Sequence, residues 1–568
     1  MHAPPPLPFD FSAYSPTHWA LCSFALFPLA YPALPPVSAV SPLHVEEFSR
    51  ELASHPNQQQ VSYVLRGLQF GFKLGFCPSL KLKPAKKNKS SATLHATVID
   101  EYLANEVMLG RVAGPFPSPP LPNLHISSFG VIPKRGQPGK WRLIVDLSSP
   151  GGASVNDGID PEDFTLQYIK LDEVIRMVSR YGPGALMAKF DVEAAYRNVP
   201  IHPEDRFLLG MKWREQFYVD LALPFGLRSA PFIFNTVADM VEWILLNQHN
   251  VSDLLHYLDD FISAGPPQSP QCAYNLSTAL AVCKRLGLPL HPNKCVGPTT
   301  CLSVLGIELD SVLQVARLPE DKRLALKQLI DSWLQRSWCK KRELESLIGH
   351  LHHAAKVVWP GRSFIRRLID LLCCFRNRDH PIRINREFRQ DLQWWQRFLS
   401  SWHGVGFWLY PGMSAVADLE VTSDAAGSLG YGAYSQGQWF HGPWSHAQVH
   451  QSIAYKELFP VVIAAHLWGA QWSRKHVLFR SDNQAVVALL TSRTSKVPVL
   501  MHLLRDLLLS AARRGFTFSS VHVPGVQNSV ADAISRFRWQ EFRRLAPEAQ
   551  PTPCPVPQLL LDSLMPPY

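Results

Sequence analysis

The stretch LLHYLDDFIS, residues 254–263, decides how this chain is read. Leu254, Leu255, Tyr257 and Leu258 lead into the acidic pair Asp259 and Asp260, and Phe261 and Ile262 lead out. The pattern predicts two short buried strands that hold the two carboxylates at their turn. Adjacent, rigidly held carboxylates suit phosphoryl transfer on two metal ions. An Asp-Asp dipeptide between strands is equally what a solvated turn uses, so the surrounding segments have to decide.

Upstream, ALMAKFDVEAAYRNVPIHP (185–203) places Asp191 at the end of a second buried strand and supplies a third carboxylate. Carboxylates from separate strands can bridge two divalent cations about 3.5–4 Å apart, one activating a primer 3′-hydroxyl and the other stabilising the leaving pyrophosphate. Hard oxygen ligands favour Mg²⁺, two per site, with Mn²⁺ as substitute. Between these segments, LALPFGLRSAPFIFN (221–235) turns at Pro224 and Gly226, and Ser229, Ala230 and Pro231 are small enough for close backbone approach. Nucleic-acid polymerisation is the chemistry these parts suggest.

In order, FDVEAAY (190–196), LPFG (223–226), YLDD (257–260), GLPLHPNKC (287–295) and VLGIEL (304–309) resemble the reverse transcriptase family over about residues 113–310. The resemblance implies a right-hand polymerase with fingers, palm and thumb, and with catalytic, metal-binding Asp191, Asp259 and Asp260. It puts Tyr196, five residues after Asp191, at a steric gate against the ribose 2′-hydroxyl and so predicts deoxynucleotide selection; an ordinary core aromatic is the alternative. Phe225 and Gly226 join the nucleotide site. Phe225 stands where retroviral enzymes carry Gln, as in LTR retrotransposons. Lys134, Arg135, Lys140 and Arg142 in SSFGVIPKRGQPGKWRLIVDLS (127–148) match a fingers hairpin that closes on the triphosphate, or else form a solvated basic turn. Lys294 matches a lysine that protonates pyrophosphate.

A second acidic set follows: Asp424 in LEVTSDAAGSLGYGAYSQGQWF, Glu457 in SIAYKELFPVVIAAHLW, Asp482 in HVLFRSDNQAVVALL and Asp532 in VHVPGVQNSVADAISRF. Each acid by itself fits a cap or a surface charge. Together, over about 416–537, they resemble ribonuclease H, an α/β (α+β) domain using a second metal pair. His522 and Asn528, ten and four residues before Asp532, match family positions, the first for water or product exchange and the second for nucleic-acid contact. Between the two sets, apolar residues at helical spacing, Leu326, Leu329, Ile330, Trp333 and Leu334, then Leu344, Leu347, Ile348 and Leu351, predict thumb helices. Arg336, Lys340, Lys341, Arg342, Arg362, Arg366 and Arg367, interleaved with Trp333, Trp338 and Trp359, read as a track for a duplex backbone or as a solvated basic face. The groups His350, His352, His353 and Cys373, Cys374 read as helix positions without metal-ligand spacing.

The 568 residues are 46% hydrophobic and carry a net charge of +10 with a pI near 9.1, which suits several folded domains and a polyanionic partner. Ten scattered cysteines without a CxxC pair point to reduced thiols inside the cell, in cytoplasm or nucleus. The expected layout is a flexible Pro-rich segment 1–45, a helical module with a Lys-rich loop 46–112, fingers and palm 113–312, helical thumb or connection 313–410, an RNase H-like domain 411–540, and a Pro-rich tail 541–568. WALCSFALFPLAYPAL (19–34) is interrupted by proline below the length of a spanning helix, and no membrane is expected as partner. KLKPAKKNK (81–89), with Lys81, Lys83, Lys86, Lys87 and Lys89, reads as an import signal, an RNA-holding loop or a linker. The expected partners are an RNA template, a DNA primer, RNA:DNA hybrid and dNTPs. HPNQQQVSYVLRGLQFGFKLGF (55–76) and GHLHHAAKVVWPGRSFIRRL (349–368) resemble DIRS-type retroelements, with gypsy-like LTR elements second. No protease triplet or integrase-like cluster is visible, and the DIRS-type resemblance implies integration by a tyrosine recombinase encoded separately or downstream. The competing class is a catalytically inactive or co-opted nucleic-acid-binding protein derived from such an element.

Overall fold

Alternating and continuous apolar runs build two sheets in the first part of the chain. Their strands are Val112–Phe116 (β1), Ile126–Pro133 (β2), Trp141–Asp146 (β3), Leu186–Asp191 (β4), Gly210–Trp213 (β5), Gln216–Asp220 (β6), Leu254–Tyr257 (β7), Asp260–Gly265 (β8) and Val296–Thr299 (β9). This computed structural model describes residues 33–83, 87–134, 139–358, 361–377, 379–401, 405–407, 417–473 and 475–565. The chain divides into two compact units, Met1–Leu302 and Ser303–Tyr568.

In the first unit, β7, β8, β4 and β9 form an antiparallel sheet in that order. Phe190 on β4 lies opposite Phe261 on β8, and their rings stack at 4.8 Å. Both side chains are buried, so truncating either to Ala would cost about 3–5 kcal/mol. The helices Ala230–Gln248 and Gln271–Arg285 pack on this sheet, the first burying Ile233, Phe234, Val237, Val241 and Ile244 at three- and four-residue spacing. A second sheet, in the order β1, β6, β5, β2, β3, contains the basic hairpin. The Lys134 N–H donates to the Lys140 carbonyl at 2.8 Å, so the pairing continues past the strand ends. Arg135 lies outside the described residues, as do Lys86 and Trp359.

The second unit begins with a small antiparallel sheet of Ile307–Asp310, Val315–Arg317 and Val405–Phe407. Four helices follow, Glu320–Leu334, Lys341–Ala354, Arg366–Cys373 and Arg386–Ser401, and the first two carry the predicted apolar spacing. Leu326, Ile330, Trp333, Leu344, Leu347, Ile348 and Leu351 are all buried. The His350, His352 and His353 group lies in one of these helices and Cys373 ends another. A five-stranded sheet then runs in the order Gln438–Pro443, Gly430–Ser435, Leu419–Ala425, His476–Ser481, Thr517–His522. Its first two pairings are antiparallel and its last two parallel. Helix Ile453–Trp468 is buried along most of its length against this sheet.

One expectation about the chain ends needs correction. Of the segment 1–45 expected to be flexible, residues 1–32 lie outside the described residues, but Val37, Val40 and Leu43 are buried and Arg206 donates to the Pro35 carbonyl at 2.8 Å. Apolar side chains in that Pro-rich stretch find a core to enter. The Pro-rich segment 541–568 also packs: Leu564 is fully buried, and the N–H groups of Gln550 and Cys554 donate to the Gly437 and Trp439 carbonyls. These bonds satisfy an edge of the five-stranded sheet that would otherwise be bare. Among the described residues, no helix is long and apolar enough to cross a membrane.

Candidate active sites

Asp191 is the last residue of β4 and lies directly opposite Asp260, the first residue of β8. Asp259 sits in the intervening turn after Leu258, whose φ of 54° is a left-handed conformation unusual for leucine. The Val192 N–H donates to the Asp259 carbonyl at 3.0 Å and fixes that turn against β4. Three carboxylates from two strands therefore meet at one sheet end. Burial first, and then the neighbouring carboxylates, raise the Asp259 carboxyl and push Asp260 up to about 6. Lys294 Nζ donates to both Asp191 oxygens at 2.9 Å. A cation is thus what this cluster attracts, and hard oxygen donors fit Mg²⁺. Lys294 touches a carboxylate here, so its expected reach toward a phosphate would require leaving Asp191.

Tyr196 follows in a short 3₁₀ turn, Ala195–Asn198, with its ring 5.2 Å from that of Phe225 and 5.7 Å from that of Phe234. Burial pushes its hydroxyl up to about 12. Phe225 is 58% exposed beside it, and Gly226 adopts φ +93°, a conformation that favours glycine. Asn156, which the sequence reading missed, fixes this turn: its side-chain N–H donates to the Gly226 carbonyl at 2.9 Å and its Oδ1 accepts from the Arg228 N–H at 2.8 Å. An asparagine in a loop 70 residues away carries no local pattern that marks it. Lys134 and Arg142 stand exposed on the hairpin.

In the second unit, ligand oxygens of Asp424, Glu457 and Asp482 lie within 4.8 Å of one another. The strand Leu419–Ala425 supplies the first, helix Ile453–Trp468 the second, and the junction between strand His476–Ser481 and helix Gln484–Ser492 the third. Burial and the two aspartates push Glu457 up to about 9, and burial pushes Asp424 up to about 6. Glu457 Oε2 is buried without a hydrogen-bond partner. An orphaned acceptor facing two more carboxylates is the donor set of a divalent cation. Ser535, also missed, donates from Oγ to Asp424; it lies one helical turn after Asp532, the only signal that could have found it. His522 Nε2 lies 3.1 Å from the Asp482 carbonyl on an exposed edge.

Four expected site residues have partners of their own. Asp532 is outside the three-carboxylate group and ion-pairs with Arg536, one turn further along, and with Arg538, just beyond the helix end. Asn528, expected to contact nucleic acid, is 1% exposed and donates to the Ser423 carbonyl at 3.0 Å, next to Asp424. It braces the strand Leu419–Ala425 from within. On the basic helices, Arg336 pairs with Glu343 at 3.3 Å over the Trp333 ring, and Arg366 with Asp370 at 2.9 Å, so part of their charge is already answered. Lys340 is exposed and Lys341 half-buried.

Residues 132–309 match the family model described as reverse transcriptase (RNA-dependent DNA polymerase). Polyprotein P3 of Commelina yellow mottle virus is 26% identical over 208 residues, covering 34% of this chain and 10% of the viral protein. The retrovirus-related Pol polyprotein from transposon 412 of Drosophila melanogaster is 24% identical over 169 residues, covering 29% of this chain and 12% of the polyprotein. The chain thus spans about a tenth of the length of these relatives. Among solved structures, a foamy viral protease-reverse transcriptase in complex with double-stranded DNA aligns with TM-score 0.48 at 15% identity, covering 88% of this chain and 84% of that one. Another, in complex with RNA/DNA hybrid, aligns with TM-score 0.46 at 14% identity, covering 88% of this chain and 65% of that one. Residues 132–309 are thus similar to the reverse transcriptase family, and part of the chain is similar to viral and transposon polyproteins.

Proposed function

We propose that this chain is an RNA-directed DNA polymerase joined to a ribonuclease H, encoded by a retrotransposon. The observation that carries the reading is the convergence of Asp191, Asp259 and Asp260 at one sheet end inside the stretch that matches reverse transcriptases. The nuclease half is supported by Asp424, Glu457 and Asp482 around an unpartnered carboxylate oxygen. In this reading 113–312 are fingers and palm, 313–410 thumb and connection, and 411–540 the nuclease domain.

Mg²⁺ held by each carboxylate set supplies charge neutralisation at the reacting phosphate and an oxygen nucleophile of lowered pKa. The chain's own residues do the rest. The β4 and β8 ends hold Asp191 and Asp260 on fixed backbones, so the ligands need no reorganisation. Tyr196, wedged against Phe225 and Phe234, leaves no room for a ribose 2′-hydroxyl. Lys294, released from Asp191, carries a proton toward the departing pyrophosphate. Lys134 and Arg142 face the triphosphate as counter-charges, with Arg135 the third member of that expected set. In the nuclease, Asn528 and Ser535 hold Asp424 in place, and His522 stands where water enters and product leaves.

The substrates of this reading are dNTPs, a DNA primer, an RNA template and the resulting hybrid. The element is DIRS-type, its integration falls to a separately encoded tyrosine recombinase, and the chain acts inside the cell. Incubating the folded chain with Mg²⁺, dNTPs and a primed RNA template tests the core of it. Primer extension is the expected result; hybrid binding without extension in Mg²⁺ or Mn²⁺ would put a non-catalytic nucleic-acid-binding protein in its place.

A further inference from the structure

A cavity of about 740 Å³ lies within the second unit, and none of the carboxylates of the two candidate sites lines it. One face of helix Arg386–Ser401 supplies Asp391, Trp394 and Arg397, and one face of helix Pro498–Arg514 supplies His502, Arg505 and Arg513. With Arg367, four guanidiniums confront a single carboxylate. That carboxylate, Asp391, is already engaged by Arg505 at 3.0 Å and Arg367 at 3.6 Å. Arg397 and Arg513 bring two further guanidiniums to the wall, and burial pushes the Arg505 guanidinium down to about 10. Trp394 Nε1 and His502 Nε2 are buried with no hydrogen-bond partner. Phe364, Trp394 and Phe398 stack in series at 3.7 Å and 4.9 Å, which covers both faces of Trp394 and makes a rigid aromatic wall that offers ring edges to the cavity.

We propose that this cavity is a nucleotide site: it takes a phosphorylated nucleotide with the phosphates against the arginines and the base against the aromatic wall. Guanidinium groups bind phosphate through paired, charge-assisted hydrogen bonds, aromatic rings take bases of any sequence, and the volume is that of a nucleotide-sized ligand pocket. The same chemistry is offered by a free nucleoside triphosphate and by one unit of a single strand. The site is separate from the two proposed metal centres, because none of their carboxylates lines it.

Photocrosslinking of the full-length chain distinguishes the sources. The probes are 4-thiouridine triphosphate and a short single-stranded oligonucleotide carrying 4-thiouridine, with adducts mapped by mass spectrometry. Adducts from either probe in residues 386–401 or 498–514 are expected, reduced at least ~10-fold in an Arg397→Glu/Arg513→Glu variant, the loss of about 1.4 kcal/mol of binding. Both arginines are exposed, and circular dichroism checks that the variant is folded. Adducts from the triphosphate alone identify free nucleotide as the ligand, and adducts from the oligonucleotide alone identify a strand. Absence of adducts in both segments with both probes, or adducts undiminished by the charge reversals, overturns the proposal.

Discussion

Replacing Glu457 by Gln should stabilise the metal-free protein and remove most of its response to Mg²⁺. Glu457 is 5% exposed, Oε2 has no hydrogen-bond partner, and burial with Asp424 and Asp482 lifts its carboxyl from 4.5 to about 9. A raised carboxyl means that the folded state holds the proton more tightly than the unfolded state. Its stabilising contribution is therefore fully present below pH about 4.5 and lost as the pH rises toward about 9. At pH 8 keeping this carboxyl protonated in the fold, while the unfolded chain is ionised, costs up to about 5 kcal/mol, from a 3.5-unit gap at about 1.4 kcal/mol per unit. Water entry and side-chain relaxation bring the expected gain of Glu457→Gln to about 2 kcal/mol. Gln keeps an oxygen to accept the Ala425 N–H and cannot ionise. The assay is urea unfolding in EDTA at pH 5 and pH 8, followed by hydrogen-exchange mass spectrometry on peptides from Ile453–Trp468, which reads this unit separately from the first. The wild type should lose stability between the two pH values and regain it with Mg²⁺, whereas Glu457→Gln should lose only the smaller part that Asp424 contributes and should gain little from Mg²⁺. A variant less stable than wild type in EDTA at pH 8, or one that Mg²⁺ stabilises equally, would refute the reasoning.

Further outcomes follow from the same geometry. Tyr196→Ala should raise ribonucleotide relative to deoxynucleotide incorporation at least ~10-fold in single-nucleotide extension, since the excluded 2′-hydroxyl gains space; unchanged selectivity would return Tyr196 to an ordinary core role. At limiting Mg²⁺, extension should fall as the pH drops through about 6, where Asp260 takes up a proton and stops ligating, and excess Mg²⁺ should shift that fall to lower pH. Asn528→Ala should cost about 1–3 kcal/mol of stability by urea unfolding, because the bond to the buried Ser423 carbonyl is lost. It should reduce hybrid cleavage while leaving primer extension intact, and equal loss of both activities would argue against a local bracing role.

The sequence marks the parts that obey short-range rules. Asp191, Asp259 and Asp260 are legible because apolar runs on either side leave a carboxylate only one place to sit, at a strand end. Glu457 and Asp482 are legible from a helical pattern and a strand–helix junction in the same way. The rest depends on contacts between distant segments. Nothing near Asn156 announces that it ties down Gly226, and nothing in the NSVAD stretch says that Asn528 points inward at Ser423. The pairing of Asp532 with Arg536 and Arg538 follows from helical proximity, yet the likeness to a four-carboxylate family set directed the reading elsewhere. Proline content likewise suggested loose ends. Burial of Val37, Val40 and Leu564 depends on core surfaces built by residues far away in the chain.

The central claim is that one chain holds two separate metal-dependent centres. The most direct measurement follows DNA extension on a primed RNA template and RNA cleavage of a preformed hybrid, both in Mg²⁺, for wild type, Asp259→Asn and Asp424→Asn. The account predicts extension lost only in Asp259→Asn and cleavage lost only in Asp424→Asn. Loss of both activities in either folded variant, or full activity in both, would contradict it.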